Sequence, residues 1–343
     1  MTVRKSLEVR LKSRPQGVPT KVNFEMATVD LPAPGSGEVL VRNVWMSVDP
    51  YMRSRMIDRE SYTPPFQVGQ ALQGHAIGQV VASNAPELRV GDYVSSMYGW
   101  REAYVSKPLG LTRIDPSLAP LQAFLGVLGL TGFTAYVGLL KTAALKSGET
   151  VFVSAAAGAV GSIVCQIAKV KGATVIASAG SDDKCRWVRE VAKADHVINY
   201  KTAGNLTAAL RAAAPKGIDV YFENVGGEHL EAALEAMKPF GRVAVCGLIS
   251  QYNAQAPQPG PSNFFYVVVK RLRVEGFIVS DHLDMLPAFF EDMGAWIHQG
   301  RIKWEETIVE GIENAPDAFL GLFRGDNLGK MLVKIGPDAP AKG

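Results

Sequence analysis

The chain has 343 residues, a length that predicts two domains of about 150 residues each rather than one hydrophobic core. Hydrophobic residues make up 47% of the sequence and charged residues 20%, which excludes a disordered chain, although we expect disorder in the tail at residues 337–343. The net charge of +3 is small and spread along the sequence, so we expect no nucleic-acid partner, whereas an anionic small molecule remains compatible.

No targeting or membrane segment is expected. The first 14 residues are basic but lack the apolar stretch of a secretory signal, so we expect a cytoplasmic protein. Residues 116–140 carry no charge, but four glycines, two prolines and two threonines interrupt them. This composition favours a turn with one or two buried helices over a membrane span.

Three cysteines, Cys165, Cys185 and Cys246, lie far apart, without a C-x-x-C motif and without a histidine at ligand spacing. Structural zinc is therefore not expected. We predict that Cys165 and Cys246 are small core residues, one on a helix and one at a strand end. A reducing compartment suits all three thiols.

The N-terminal third, residues 1–120, is predicted to form mainly strands and turns. Apolar and polar residues alternate at 38–44, 76–81 and 92–95, and glycines and prolines separate these stretches. This spacing predicts a compact, partly closed β-domain.

Residues 150–181 have the pattern strand, glycine turn, helix, strand. The apolar run 151–153 predicts a strand that is buried on both faces, and small residues follow it at 155–161. Apolar residues then recur at helical spacing between 163 and 170, and a second strand is predicted at 174–177. A helix that begins at such a turn presents N–H groups and its positive dipole end, which together attract a pyrophosphate.

The turn matches the dinucleotide fingerprint G-x-G-x-x-G in part. Ala156 occupies the position of the first glycine, while Gly158 and Gly161 occupy the other two. The strand before the turn and the helix after it are the context in which this motif binds a dinucleotide. The alternative is a tight strand-to-helix turn without a ligand.

The alternation of strands and helices continues along the chain. Further strands are predicted at 196–200, 219–222, 242–246, 272–279 and 307–309. Further helices are predicted at 182–191, 206–214, 228–237 and 287–298. This order predicts an α/β fold with a doubly wound parallel sheet, joined to the β-rich domain.

Motifs distributed along the sequence resemble one known family. They are RPQG at 14–17, SVDPYMR at 47–53, GLTGFTAY at 129–136, AAAGAVG at 155–161, YFENVGG at 221–227, CGLIS at 246–250, RLRVEGF at 271–277 and NLGK at 327–330. In these motifs the chain is similar to the zinc-independent medium-chain dehydrogenase/reductase superfamily, in its prostaglandin reductase, alkenal double-bond reductase and curcumin reductase group. The resemblance implies a GroES-like catalytic domain at residues 1–125 and 300–343, and a Rossmann NADPH-binding domain at 126–299.

A metal site is not expected. Zinc-dependent relatives carry a cysteine ligand where this chain has residues 47–49, and Gly-His-Glu where it has Gly74, His75 and Ala76. Because a catalytic zinc needs about three converging protein ligands, these replacements argue against it. His75 is predicted to be a hydrogen-bonded turn residue.

The end of the second strand predicts the cofactor. An NAD site usually has a carboxylate about 20 residues after the glycine turn, but residues 177–181 are small and uncharged, which leaves room for a 2′-phosphate. The resemblance implies that Lys184 and Tyr200 contact this phosphate, so the expected cofactor is NADPH. Alternatively, Lys184 is an exposed helix lysine that pairs with Asp182 or Asp183, and either aspartate could cap the helix or bind ribose.

The fingerprint turn predicts cofactor contacts at Gly158, Ala159, Val160 and Gly161. The resemblance implies the remaining contacts, most of which follow the ends of predicted strands. They are Asn224, Cys246, Gly247, Leu248, Ile249, Ser250, Tyr252, Phe277, Ile278, Val279 and Asn327.

The expected chemistry is reduction of a carbon–carbon double bond conjugated to a carbonyl. Hydride addition to such an enone creates an enolate, which a hydroxyl donor can stabilise and protonate. Tyr51 and Tyr62 are the favoured donors, because both lie in the loop-rich segment 49–67 that faces the expected cleft. Tyr266 could substitute, since Val269 occupies the position where many relatives have a tyrosine. Ordinary packing is the alternative for each tyrosine.

The predicted protein is an NADPH-dependent 2-alkenal or enone reductase. Two alternatives remain open, namely an NADPH quinone oxidoreductase and a non-catalytic NADPH-binding sensor or structural protein. The expected partners are a small unsaturated carbonyl substrate and a second copy of the chain. The homodimer would form through the strand at 272–279 at the sheet edge.

Overall fold

The structure, a computed structural model, describes residues 5–337, so most of the tail in which we expect disorder lies outside the described residues. The N-terminal part of the chain forms strands, loops and a short helix. These elements are β1 (Lys5–Leu11), β2 (Phe24–Asp30), β3 (Val39–Ser47), α1 (Met52–Arg55), β4 (Ala76–Ser83), β5 (Tyr93–Ser96), β6 (Ala103–Ser106) and β7 (Thr112–Ile114).

The central and C-terminal parts alternate helices and strands. The elements are α2 (Leu130–Val137), β8 (Thr150–Val153), α3 (Gly161–Val170), β9 (Thr174–Ala179), α4 (Asp182–Glu190), β10 (His196–Asn199), α5 (Leu206–Ala213), β11 (Ile218–Glu223), α6 (Glu228–Ala236), β12 (Met237–Val245), α7 (Tyr266–Val269), β13 (Arg273–Gly276), α8 (Leu286–His298), β14 (Glu306–Glu310), α9 (Ala315–Arg324) and β15 (Lys330–Lys334). Shorter 3-10 helices lie at Lys21–Asn23, Leu121–Leu125, Ile249–Gln251, Val279–Met285 and Ile312–Asn314, and a π-helical turn lies at Gly138–Thr142.

The chain divides into two compact units. Within residues 5–337, the first unit comprises the chain up to Leu125, Glu306–Asn327 and the segment from Met331 onward. The second unit comprises Gly126–Glu305 together with Leu328–Lys330.

The second unit is built around a parallel sheet whose described strands have the order β10-β9-β8-β11-β12-β13. β8, the first of these strands along the chain, therefore lies between β9 and β11, and the strand order reverses at this point. Val151, Phe152 and Val153 of β8 are fully buried, which explains why this strand is apolar without alternation. The predicted doubly wound α/β fold is confirmed.

The first unit is rich in β-structure, as predicted. β1 pairs with β2, and among the described residues the larger sheet has the order β14-β15-β3-β4-β5-β7, with β6 paired to β3. Trp100 lies at the centre of the core, with the rings of Phe24 and Phe319 each 6.1 Å away. Met52 and Met56 are buried in the same core, so α1 is anchored at both ends.

The structure corrects one predicted strand. The stretch predicted as a strand at 272–279 is paired only over Arg273–Gly276, and a 3-10 helix begins at Val279. The neighbouring strand β12 ends at Val245, which pairs with Gly276, so no backbone partner continues the ladder. β13 is nevertheless the edge strand of the sheet within the described chain.

The uncharged stretch at 116–140 forms short buried elements, as predicted. It contains the 3-10 helix Leu121–Leu125 and α2, in which Phe133 and Ala135 are buried. Between residues 5 and 337, the structure contains no helix with the length and apolar character needed to cross a membrane.

Candidate functional site

The turn between β8 and α3 brings its backbone very close to the start of the helix. A Cβ atom at Gly161 would lie 2.5 Å from the carbonyl oxygen of Ala155, so glycine is required for this approach. Ala155 itself adopts a left-handed conformation with φ of 49°, and its carbonyl accepts a hydrogen bond from Gly158 N at 2.9 Å. Ala156 is buried without strain at the place of the first fingerprint glycine, because the left-handed residue is its neighbour.

A distant segment of the second unit completes this turn. The N–H of Gly329 donates to the carbonyl of Ala157 at 2.8 Å, and Gly329 and Gly158 form a β-bridge. Gly329 has φ of 66°, and a Cβ atom there would lie 1.9 Å from the carbonyl oxygen of Glu305. The predicted cofactor residue Asn327 comes just before this segment in the chain. The contact of Gly329 was not foreseen in the sequence, where only the motif at 327–330 stood out.

The polar side chains that follow β9 form hydrogen bonds and an ion pair within the second unit. Ser181 caps α4 by accepting a hydrogen bond from the backbone N–H of Lys184. The carboxylate of Asp182 accepts a hydrogen bond from Asn199 Nδ2 at 2.7 Å, and that of Asp183 pairs with Arg186 at 3.0 Å. Serine thus takes the capping role that the sequence also allowed for the aspartates.

Tyr200 covers the end of β9. A Cβ atom at Gly180 would lie 2.7 Å from the Tyr200 hydroxyl oxygen, so the glycine makes room for the phenol. The Tyr200 ring also packs edge-on against the ring of His229, with centroids 4.9 Å apart. His229 Nε2 lies 3.1 Å from Ser178 Oγ, and burial lowers the pKa of His229 to about 4, so this imidazole is neutral at pH 7. The predicted phosphate contact Tyr200 is therefore held beside the strand end.

A buried carboxyl group organises the end of β11. Oε1 of Glu223 accepts hydrogen bonds from the Tyr221 hydroxyl at 2.6 Å and from the backbone N–H groups of Val225 and Gly226 at 2.7 and 3.0 Å. Burial raises the pKa of Glu223 above its ordinary value. Sequence reasoning passed over Glu223, although a glutamate directly after the run Val220 to Phe222 was a visible signal.

Asn224 is held by the end of the adjacent strand β8. Its Nδ2 donates to the carbonyl of Ser154 at 2.8 Å, and its backbone N–H donates to Ser154 Oγ at 3.0 Å. The side-chain amide is thereby oriented at the carboxyl ends of β8 and β11, where the strand order reverses. Doubly wound sheets bind their ligands at this position.

The predicted segment from Cys246 to Tyr252 packs onto the turn after β11. The N–H groups of Cys246 and Gly247 donate to the carbonyl of Glu223, and those of Ile249 and Ser250 donate to the carbonyls of Asn224 and Val225. Leu248 N donates to the Tyr252 hydroxyl at 3.4 Å. Cys246 is partly buried, and burial raises the pKa of its thiol to about 12. The thiol is thus protonated at pH 7.

The residues after β13 form the last part of this group. Phe277, Ile278 and Val279 are partly buried and follow the strand directly. The Phe277 ring packs edge-on against Phe222 of β11 at 6.3 Å, and a Cβ atom at Gly138 would lie 2.4 Å from it. The ring therefore occupies space that a side chain at position 138 would need.

The residues at this edge of the sheet fit a dinucleotide with a 2′-phosphate. Gly161 allows the close turn, and the N-terminus of α3 is directed at it. The small residues that end β9 replace the carboxylate of a typical NAD site. The structure brings the turn, Tyr200, Asn224 and the segment 246–252 to the carboxyl edge of one sheet.

The three candidate tyrosines have different surroundings. Tyr51 is partly buried against the core of the first unit, and Tyr62, in the same segment, is 59% exposed. Burial, followed by the nearby Asp49, raises the pKa of Tyr51 above its ordinary value, so the phenol keeps its proton at pH 7. Tyr266 lies on α7 in the second unit, where its ring stacks on Phe265 at 4.4 Å.

The positions of the zinc ligands in metal-dependent relatives form other contacts here. Ser47 Oγ donates a short hydrogen bond to Asp49, and the carbonyl of His75 accepts one from Ser47 N at 2.9 Å. The part of the chain that the structure describes contains no group of three or more His, Cys, Asp and Glu side chains that could hold a metal ion.

Two protein-family models match the chain. Residues 8–114 match the model described as the N-terminal domain of oxidoreductase, and residues 159–297 match the one described as zinc-binding dehydrogenase. The first match falls in the first unit and the second match in the second unit.

Similar proteins cover nearly the whole chain. The chain is 41% identical to the NADPH-dependent curcumin reductase of Escherichia coli (strain K12) over 333 residues, which is 96% of each chain. It is 42% identical to the 2-alkenal reductase (NADP(+)-dependent) of Nicotiana tabacum, with 96% of this chain and 97% of the relative covered. It is 43% identical to prostaglandin reductase 1 of Rattus norvegicus, with 94% and 97% covered.

A solved structure agrees with these similarities. The crystal structure of CurA from Vibrio vulnificus in complex with NADPH matches with a TM-score of 0.92 at 41% identity, covering 96% of this chain and 99% of that chain. The chain therefore belongs to the medium-chain dehydrogenase/reductase superfamily and, within it, to the group that contains the curcumin, 2-alkenal and prostaglandin reductases.

Proposed function

We propose that this protein is an NADPH-dependent reductase that saturates the carbon–carbon double bond of α,β-unsaturated ketones or aldehydes. The observation that carries the proposal is the carboxyl edge of the parallel sheet, where Gly161, Tyr200 and Asn224 lie around a strand end without a carboxylate. Membership of a group that contains a curcumin reductase, a 2-alkenal reductase and a prostaglandin reductase supports the substrate class.

The proposed division of labour follows the two units. The first, expected at residues 1–125 and 300–343, is the catalytic domain, and the second, expected at 126–299, holds the cofactor. Lys184 and Tyr200 are the proposed contacts of the 2′-phosphate. The remaining proposed cofactor contacts are Gly158, Ala159, Val160, Gly161, Asn224, Cys246, Gly247, Leu248, Ile249, Ser250, Tyr252, Phe277, Ile278, Val279 and Asn327.

NADPH, when bound, supplies a hydride to the substrate. The protein residues then have to hold the negative charge that develops on the substrate and to deliver a proton. Tyr51 is the first candidate for this role, because burial keeps its phenol protonated and α1 anchors the backbone that carries it. Tyr62 and Tyr266 are the second and third candidates.

One assay tests the proposed function. The purified protein is incubated with NADPH and, in separate reactions, an alkenal, an aryl enone and a quinone, and with NADP⁺ and a saturated alcohol. We expect NADPH oxidation with the enones and a product in which the double bond is saturated and the carbonyl retained. Turnover of the quinone alone would identify a quinone oxidoreductase. Tight NADPH binding without turnover would identify a sensor or structural protein.

Replacement of Lys184 by Ala is expected to weaken NADPH binding by about tenfold or more, since a lost hydrogen bond to a charged group costs roughly 1.5–3 kcal/mol. NADH lacks the phosphate, so its affinity should change little. Titration of cofactor fluorescence measures both dissociation constants. Arg186→Ala removes a positive charge from the same helix and is the matched control, because Arg186 pairs with Asp183. Equal losses for NADPH and NADH in Lys184→Ala would refute the phosphate contact.

We also expect turnover without zinc. Exhaustive treatment with EDTA or phenanthroline should leave the rate of enone reduction unchanged, because residues 47–49 and 74–76 do not supply the ligands of zinc-dependent relatives. Elemental analysis of the purified protein measures the metal content directly. One tightly bound zinc ion per chain would contradict this prediction.

A homodimer is the proposed assembly. The edge strand β13 has exposed backbone and side chains, and pairing with the same strand of a second copy would cover it. Sedimentation at micromolar protein concentration should therefore give the mass of a dimer, and a monomer there would contradict the prediction. The proposed location is the cytoplasm, and we propose neither a nucleic-acid nor a membrane partner.

A further inference from the structure

Arg55 is a buried cation in the segment that carries Tyr51 and Tyr62. Arg55 is the last residue of α1 and is only 4% exposed. Its Nε donates to the carbonyl of Pro64 at 2.9 Å, and its Nη2 donates to Gln73 Oε1 at 2.7 Å. The guanidinium also lies over the Phe66 ring, 4.2 Å from the centroid. These contacts fix the guanidinium in one orientation.

The side chains that act electrostatically on this cation are phenols. Tyr51 lies four residues before Arg55, one helical turn away, and Arg55 interacts electrostatically with both Tyr51 and Tyr62. Besides burial, the influences on the pKa of Arg55 come from Tyr51 and Tyr62. Burial of a guanidinium costs free energy, and proteins usually offset this cost with a carboxylate partner. A buried cation whose electrostatic partners are two neutral phenols is therefore in place for a negative charge that forms later.

We propose that Arg55 is a positioning residue for Tyr51, which orients the phenol and stabilises the phenolate that remains after proton transfer. This inference rests on the proposed function, in which Tyr51 protonates the reduced substrate. In that step the O–H bond of Tyr51 breaks and its electron pair stays on the phenol oxygen. The proton forms the new bond to the substrate enolate, and water later returns a proton to Tyr51.

The electrostatics of Tyr51 agree with this role. Burial and Asp49 raise the pKa of Tyr51 and thereby make it a weaker acid, whereas Arg55 acts in the opposite direction. A general acid works better when its pKa lies closer to the working pH. Without the Arg55 charge, the remaining influences on Tyr51 would all raise its pKa.

The alternative role of Arg55 is structural, since it also ties the loop at Pro64 and Gln73 to α1. A double-mutant cycle separates the two roles, because coupling to Tyr51 appears as non-additive losses. The cycle needs Arg55→Gln, Tyr51→Phe and the double variant, with kcat for an enone, KM for NADPH and the melting temperature measured for each. Arg55→Lys keeps the positive charge but lacks the planar guanidinium with its several N–H donors, and it serves as the conservative variant. Arg59→Gln removes an exposed charge from the same segment and is the matched control.

We expect Arg55→Gln to lower kcat by about tenfold with KM for NADPH unchanged, and Arg55→Lys to restore part of the loss. In the Tyr51→Phe background, neither Arg55 substitution should lower kcat further. If the losses add, Arg55 acts on the fold and the inference is wrong, while the role of Tyr51 stands. If Tyr51→Phe keeps full kcat, both the donor assignment and the role of Arg55 are wrong. Should Arg55→Gln fail to fold, the same cycle with Arg55→Lys decides between these outcomes.

Discussion

Replacement of Tyr51 by Phe is expected to lower kcat for enone reduction by about ten- to a thousandfold, since one oriented donor supplies roughly 2–4 kcal/mol to such a transition state. NADPH affinity should stay unchanged, because the proposed cofactor contacts are other residues. Burial raises the pKa of Tyr51, so its phenol is protonated at neutral pH and the loss should be similar from about pH 6 to about pH 9. Steady-state kinetics with saturating NADPH measure this effect.

Three other tyrosine variants show whether the loss of kcat is specific to Tyr51. Tyr98→Phe is the matched control, because the Tyr98 ring packs on Tyr104 in the same unit, with centroids 4.5 Å apart, and is not a proposed donor. Tyr62→Phe and Tyr266→Phe test the other two candidates under the same conditions. If Tyr266→Phe alone loses kcat, the donor is on α7. If all three candidate variants stay fully active, the proton comes from the cofactor ribose or from water, and the proposed donor site is wrong.

Replacement of Gly161 by Ala is the second substitution for which we expect a large effect. The new Cβ atom would lie 2.5 Å from the carbonyl oxygen of Ala155 and 2.9 Å from Cα of Ala156, and both neighbours are backbone atoms that cannot rotate away. Overpacking of this kind costs about 1–3 kcal/mol, and the turn has to move to relieve it. We therefore expect NADPH affinity to fall by about ten- to a hundredfold, measured by cofactor titration.

Gly294→Ala provides the matched control for this change. Gly294 also lies in a helix of the second unit, but a Cβ atom there would meet no heavy atom within 4 Å. In an exposed helix, alanine is favoured over glycine by about 1 kcal/mol, so this variant should bind NADPH normally and unfold at a slightly higher temperature. If Gly161→Ala binds NADPH like Gly294→Ala, the turn tolerates a side chain and Gly161 is not needed for the cofactor.

Local sequence patterns predicted most elements of the second unit. The apolar run at Val151 to Val153, the small residues after it and the helical spacing from Ile163 identified β8, the turn and α3. These signals are local, because strand periodicity, helix periodicity and the need for glycine in a close turn all depend on residues that are near each other in the sequence. The end of β13 was missed, since its length depends on the strand beside it.

The sequence by itself determined the fold class, and the family resemblance added the cofactor class and the segment that carries Tyr51 and Tyr62. The tertiary structure alone decided which side chains organise these regions. Gly329 contacts the turn at Ala157 from a distant part of the sequence, Glu223 holds the turn at Asn224, and Arg55 is buried over the Phe66 ring. Burial and long-range hydrogen bonds depend on how the helices and strands pack against each other. The periodicity of the sequence therefore does not show which polar side chains become buried.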